Sequence, residues 1–146
     1  MAEQSKDMAE ARHAVTYYGH FMTDLERLAN RHLSMTIKQT RGRSDLAAQA
    51  EAKHRLADLD ARTSSQPKEH KQRRLLSEWL SDDPDVLFLA REGFDAFVLQ
   101  TGRRILEDHQ NEITLNRCSR CQRVARTPTA KQCRFCLFDW HQAKKA

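Results

Sequence analysis

The sequence predicts a mainly α chain, a helical bundle of about four helices followed by a small C-terminal β module. Three observations carry that prediction. Apolar residues recur at steps of three and four over most of residues 7–105, the period of one helical face. Only four glycines and three prolines punctuate the chain, and they fall where the periodicity stops. All four cysteines lie between Cys118 and Cys136, in a stretch without helical period. With 146 residues the chain holds one mid-sized domain and a small appended module, and the change of character places the boundary at 110/111.

The first helix is expected to run unbroken from Asp7 to Lys38, with Met8, Ala11, Val15, Tyr18, Met22, Leu25, Ala29 and His32 on one face. Phe21, Leu28 and Met35 widen that face enough for a globular core. Arg41-Gly42-Arg43 ends it, glycine being free to take the left-handed conformation that closes helices. Ser44 can cap the second helix, whose alanine-rich sequence carries a thin apolar face at Leu46, Ala50, Ala52, Leu56 and Leu59. Thr63-Ser64-Ser65-Gln66-Pro67 interrupts it, and the proline suits the opening turn of a third helix with a buried end at Leu75, Leu76, Trp79 and Leu80.

Ser81-Asp82-Asp83-Pro84 then combines a capping aspartate with proline at the first helical position. The fourth helix starts there, carrying Val86, Leu87, Ala90, Phe94, Phe97, Val98, Thr101 and Ile105 inward. Gly93 and Gly102 within it either permit close helix contacts or mark a break. Its leucines and aromatics read as core. Ile113-Thr114-Leu115 suggests a short strand leading into the first cysteine pair.

The cysteine pattern is Cys118-x-x-Cys121, eleven residues, then Cys133-x-x-Cys136. The first residues, MAEQSKDMAE, lack the apolar stretch of a signal peptide, and no run approaches the roughly 18 apolar residues of a membrane span. That predicts a cytoplasmic chain, in which clustered thiols are better explained by metal than by disulfides. Two residues between cysteines let a tight turn aim both sulfurs at one point, and QRVARTPTAKQ supplies a hairpin that joins the two turns, with Val124 and Ala125 in a strand and Thr127-Pro128-Thr129 at its turn. The expected cofactor is one structural Zn2+ per chain on Cys118, Cys121, Cys133 and Cys136; a redox dithiol, an iron site or disulfides are the alternatives. Four thiolates fill a tetrahedron and leave no position for a catalytic water. His141 is a possible competing ligand, though with four cysteines at hand it reads as a surface or packing residue near Trp140.

On these residues the segment from about 114 to 141 resembles the zinc-ribbon family, in which two cysteine knuckles are presented by short strands. Residues 111–146 are then a four-cysteine zinc ribbon with a short basic tail, and residues 1–110 a helical domain that resembles no family. Family members commonly carry glycine just after the second cysteine of each knuckle. Gln122 and Leu137 stand there instead, implying local strain or a different turn.

Charge follows the same division. Residues 1–114 hold 17 Lys/Arg and 19 Asp/Glu, a net of −2, whereas residues 115–146 hold eight Lys/Arg and one Asp/Glu, a net of +7. A zinc dication on four thiolates lowers the latter to about +5, still a strong local field. Arg117, Arg120, Arg123, Arg126, Lys131 and Arg134 can contact phosphate, and Phe135, Phe138 and Trp140 can stack on bases or pack as core. The resemblance implies a nucleic-acid-associated role. The alternative is a protein-binding adaptor or inhibitor, of the immunity, antitoxin or assembly-factor kind, in which the acidic helical part and basic ribbon dock a protein partner.

An enzyme is not expected, nor a small-molecule substrate. The chain lacks a phosphate-cradling glycine loop, a helical metal-binding histidine pair and a nucleophile motif. The pairs His20/Asp24 and Glu92/Asp95 are of a kind found on most charged helices.

Overall fold

A computed structural model describes residues 2–62 and 65–141; the Thr63-Ser64 part of the expected break and the basic tail with Lys144 and Lys145 lie outside the described residues. The chain is mainly α, as its periodicity requires. Six α-helices occur among the described residues: α1 (Ala2–Tyr17), α2 (Asp24–Gln39), α3 (Leu46–Ala61), α4 (Pro67–Trp79), α5 (Pro84–Ala90) and α6 (Phe94–Asp108). None is long and apolar enough to cross a membrane.

Six helices replace the expected four because two expected helices are interrupted, each by a specific backbone device. The first stops at Tyr17, passes through a 3-10 turn at Gly19–Phe21, and restarts at Asp24. Thr23 forms a capping box with Glu26: the Glu26 N–H donates to Thr23 Oγ1 at 3.2 Å, and the Thr23 N–H donates to Glu26 Oε2 at 2.8 Å. The second break falls at Gly93, in the left-handed region at φ 89°. A side chain there would also press on Ser44, whose Oγ lies 3.1 Å from the position of a Cβ. Ser44 Oγ accepts the Phe94 N–H at 2.9 Å and so serves α6, while α3 is capped by Asp45, which accepts the Ala48 N–H at 2.8 Å. The expected stop at Arg41-Gly42 and start at Asp83-Pro84 are both present, with Gly42 at φ 94° and Asp83 accepting the Asp85 N–H.

Internal contacts gather the chain into two compact units, Thr23–Phe97 and Met1–Met22 with Val98–Ala146. The division differs from the expected boundary at 110/111. It sets the cysteine segment with α1 and most of α6.

In the Thr23–Phe97 unit, Ala29, Leu33, Met35, Leu76, Val86 and Ala90 are buried. Leu25 and Leu28, expected inside, are each 39% exposed, because the restart at Asp24 sets the buried face of α2 through Ala29, His32, Leu33 and Thr36 instead. His32 is fully buried and fully bonded. Its Nδ1 accepts the Ser81 N–H at 3.0 Å, and its Nε2 lies 3.2 Å from Gln49 Oε1. Gln49 in turn donates to the Ala90 carbonyl at 2.8 Å and the Ser44 carbonyl at 3.0 Å. One neutral imidazole thus joins α2, α3 and the start of the loop before α5.

In the other unit α1 lies directly on α6. A Cβ on Gly102 would sit 2.5 Å from the Ala11 Cα and carbonyl oxygen, so only glycine permits this approach. Asp7 and Arg103 pair across the same contact at 2.8 Å. Ala14, Met22 and Ile105 form the core beside it, and Phe21 stacks on His109 with ring centroids 3.8 Å apart.

Alanine at position 102 would gain about 1 kcal/mol of helix propensity. Overpacking against backbone costs about 1–3 kcal/mol, so Gly102→Ala should destabilise on balance, read as a lower urea midpoint by circular dichroism. The second expectation concerns pH. Burial lowers the His32 pKa, against the opposing bond from Gln49, and protonation at Nδ1 would also break the Ser81 bond. The unfolded state, with an ordinary value of about 6.5, therefore takes up the proton first. His32's contribution is complete above that value and is lost as pH falls. Urea midpoints should drop between about pH 7.5 and 5.5, and His32→Gln should remove much of the drop.

Candidate metal centre

The four cysteines converge. Cys118 Sγ lies 3.6 Å from Cys136 Sγ, Cys121 Sγ lies 3.5 Å from Cys133 Sγ, and all four sulfurs fall within 4.8 Å of one another. These separations exclude a disulfide, whose sulfurs lie about 2.05 Å apart, and all four cysteines are free. A tetrahedral ion with metal–sulfur bonds of about 2.3 Å places its ligands about 3.8 Å from one another. The donor set and its spacing therefore fit one soft or borderline metal ion held by four thiolates.

Convergence comes from two turns of the same geometry. In the first, Gln122 N–H donates to the Cys118 carbonyl at 2.8 Å and Cys118 N–H to the Arg123 carbonyl at 2.9 Å. In the second, Leu137 N–H donates to the Cys133 carbonyl at 3.0 Å and Cys133 N–H to the Phe138 carbonyl at 2.8 Å. The bridges Arg117 to Val124 and Gln132 to Asp139 flank them, every contact recurring fifteen residues on. No repeat is readable in the sequence because only the cysteines coincide. The pairing also corrects two expectations: each knuckle closes on itself rather than on the other through a shared hairpin, and Ile113-Thr114-Leu115 forms no strand. Thr127-Pro128-Thr129 does turn, and Asn116 Nδ2 holds the turn by donating to the Thr127 and Ala130 carbonyls at 3.1 and 2.8 Å.

Gln122 and Leu137 keep the left-handed conformation, at φ 64° and 62°, without being glycine. The knuckle requires that geometry: the turn places the Arg120 N–H 3.4 Å from Cys118 Sγ and the Phe135 N–H 3.4 Å from Cys133 Sγ. These donors shape the thiol acidities. Burial pushes Cys118 and Cys133 up, but the backbone N–H groups of their own turns outweigh it, lowering Cys118 and bringing Cys133 down to about 6. For Cys136 the Phe138 N–H pulls down, while burial and the neighbouring cysteines push harder, up to about 11.

Trp140 and Ala125 complete a small core with Cys118 and Cys133, and Phe138 packs against it with its ring centroid 6.3 Å from that of Trp140. Both aromatics are thus core of the cysteine module. His141 sits apart, exposed and paired with Asp139.

The basic residues divide into three groups. Arg117 pairs with Glu10 of α1 and donates to the Gln122 carbonyl at 3.3 Å. Arg123 and Arg134 each hold their guanidinium carbon 4.7 Å from the centroid of the Phe135 ring, which is 38% exposed. Arg126 and Arg134 line a cavity of about 240 Å³ with Arg12, His13, Thr16 and Tyr17 of α1. Arg120 and Lys131 are exposed. The α1 residues had no readable sequence signal, since nothing in an Arg-His pair on a helix announces a partner more than a hundred residues away.

No protein-family model matches the chain, and neither the curated proteins nor the solved structures contain a match to it.

Because the cysteine module shares its unit with α1, removal of a bound metal should reach beyond the knuckles. Hydrogen exchange after treatment with a strong chelator should accelerate over residues 112–141 and along α1, and much less over residues 24–90. Acceleration confined to the knuckles would show that α1 does not depend on them.

Proposed function

We propose that residues 114–141 are a zinc ribbon, that the four thiolates hold one structural Zn2+, and that the basic surface they present binds nucleic acid. The observation that carries this reading is the sulfur cluster with arginines arrayed around it. Four sulfurs at these separations suit the tetrahedral coordination zinc prefers, and a full set of protein ligands favours a structural role over a catalytic one. The ion would supply the two positive charges that let all four thiols ionise together. Loaded in this way, the segment keeps a net charge of about +5 beside a partner of opposite sign.

The arginine placement supports phosphate contact followed by stacking. Arg123, Phe135 and Arg134 form a layered cation–aromatic group at the surface, a platform on which an unpaired base can lie flat. Arg117, tied to Glu10, is better suited to holding the ribbon on α1 than to contacting a ligand. Docking to an acidic protein remains the alternative that a negative result would favour.

Two measurements test the reading. Elemental analysis should give close to one zinc per chain, and Cys133→Ser should lower the ratio sharply; a folded module without metal would refute the zinc assignment. Binding to single-stranded oligonucleotides should weaken steeply with salt, and the combined replacement of Arg120, Arg123 and Arg126 should flatten the logarithmic salt slope by up to about three without loss of zinc. No binding at about 50 mM salt, where phosphate contacts are strong, would reject the nucleic-acid reading in favour of a protein partner.

A further inference from the structure

The cavity between α1 and the cysteine module has an unusual lining. Three guanidinium-bearing residues, Arg12, Arg126 and Arg134, surround it, together with Thr16, Tyr17 and His13, and no carboxylate lines it among the described residues. Tyr17 is held there by its hydroxyl, which donates to the Arg126 carbonyl at 3.5 Å. His13 is 5% exposed, yet its Nε2 has no hydrogen-bond partner among the described residues. A buried ring nitrogen left unbonded costs about 1–3 kcal/mol, and cations gathered without a counter-charge repel one another. A single anion would relieve both.

The chemistry of the lining selects the anion. Guanidinium groups match the oxygens of a phosphate in bidentate fashion, and the Thr16 hydroxyl and a protonated His13 ring nitrogen add further donors. Three cationic side chains exceed what one carboxylate or one internal phosphodiester, each carrying a single charge, would neutralise. A phosphomonoester carries about −1.5 to −2 at neutral pH and three exposed oxygens.

Position narrows the choice further. Arg134 belongs both to this cavity and to the layered group on Phe135, where its guanidinium carbon lies 4.7 Å from the ring centroid. A phosphate in the cavity therefore sits one residue away from a stacking platform, the arrangement of a terminal phosphate and the first base of a strand.

We infer that the cavity formed by Arg12, His13, Thr16, Arg126 and Arg134 receives the 5′-terminal phosphate of a single-stranded nucleic acid, whose first base lies against the Arg123, Phe135 and Arg134 group. The inference rests on the nucleic-acid reading above and adds to it a preference for phosphorylated strand ends.

Burial lowers the His13 pKa, opposed by the Ala125 carbonyl, and the Arg134 charge lowers it further. A dianion in the cavity would reverse that balance. His13 is then a built-in reporter of occupancy.

The experiment compares two fluorescent twelve-nucleotide single strands of identical sequence, one with a 5′-phosphate and one with a 5′-hydroxyl, each labelled at the 3′ end, by anisotropy against the full chain. The phosphorylated strand should bind about tenfold more tightly, consistent with one added charge-assisted contact. Arg12→Gln, with zinc content and helicity unchanged, should abolish the difference while leaving the hydroxyl strand's affinity within about twofold. Phosphorylated strand should also shift the His13 ring resonances and raise their titration midpoint, and the hydroxyl strand should not. Equal affinity for the two strands would overturn the end-recognition inference and leave the nucleic-acid reading standing. Failure of both strands to bind would overturn both.

Discussion

Four sulfurs within 4.8 Å of one another form an arrangement that four thiolates alone would not keep. Like charges at that distance repel by several kcal/mol even at an effective dielectric of about 20. The uneven thiol acidities express this constraint: once Cys133 gives up its proton near 6, Cys136 is held protonated to about 11. A cation at the centre changes the sign of every one of those interactions. The turns are already shaped for it, because the N–H groups of Arg120 and Phe135 point at sulfur rather than at a carbonyl. Thiolate formation is thus favoured by the backbone before any ion arrives.

The backbone meets a cost in shaping those turns. Gln122 and Leu137 sit in the left-handed region, which for residues other than glycine costs roughly 1–2 kcal/mol each. Nothing else in the module is large enough to offset that readily. Its core consists of two cysteines, Ala125 and Trp140 with Phe138 and a few neighbours, and small cores of this kind rarely stand without a metal or cross-link. Contact with α1 supplies a second support: Arg117 bonds Glu10, and the Tyr18 hydroxyl donates to the Thr114 carbonyl at 3.2 Å. The close approach of α1 to α6 at Gly102 places α1 where it can give that support.

The sequence made the helical class and the four converging cysteines legible because both depend on local spacing. The helix starts at Thr23-x-x-Glu26 and Asp83-Pro84 were equally legible in principle, and the first was hidden only by apolar periodicity running straight across it. Gly93 and Gly102 illustrate the limit. Sequence spacing marks both as permissive, but only tertiary contact separates a glycine that turns the chain beside Ser44 from one that admits Ala11. The knuckle geometry at Gln122 and Leu137 was obscured for the opposite reason, since the residues there have side chains that left-handed turns usually reject. The grouping of α1 with the cysteine segment depends on contacts across the length of the chain, and no local pattern encodes them.

The same long-range contact changes what the basic residues mean. Read along the sequence, Arg117 to Arg134 form one undifferentiated run. In three dimensions Arg117 is tied to a carboxylate, Arg123 and Arg134 are stacked on an aromatic ring, and Arg126 and Arg134 turn toward a buried histidine on another helix. Guanidiniums fixed on a ring face lose less side-chain entropy on meeting a ligand than those ranging freely in solvent. The arginines most prepared for an anion are therefore the ones that α1 and Phe135 have already positioned. Net charge alone would have ranked all of them equally.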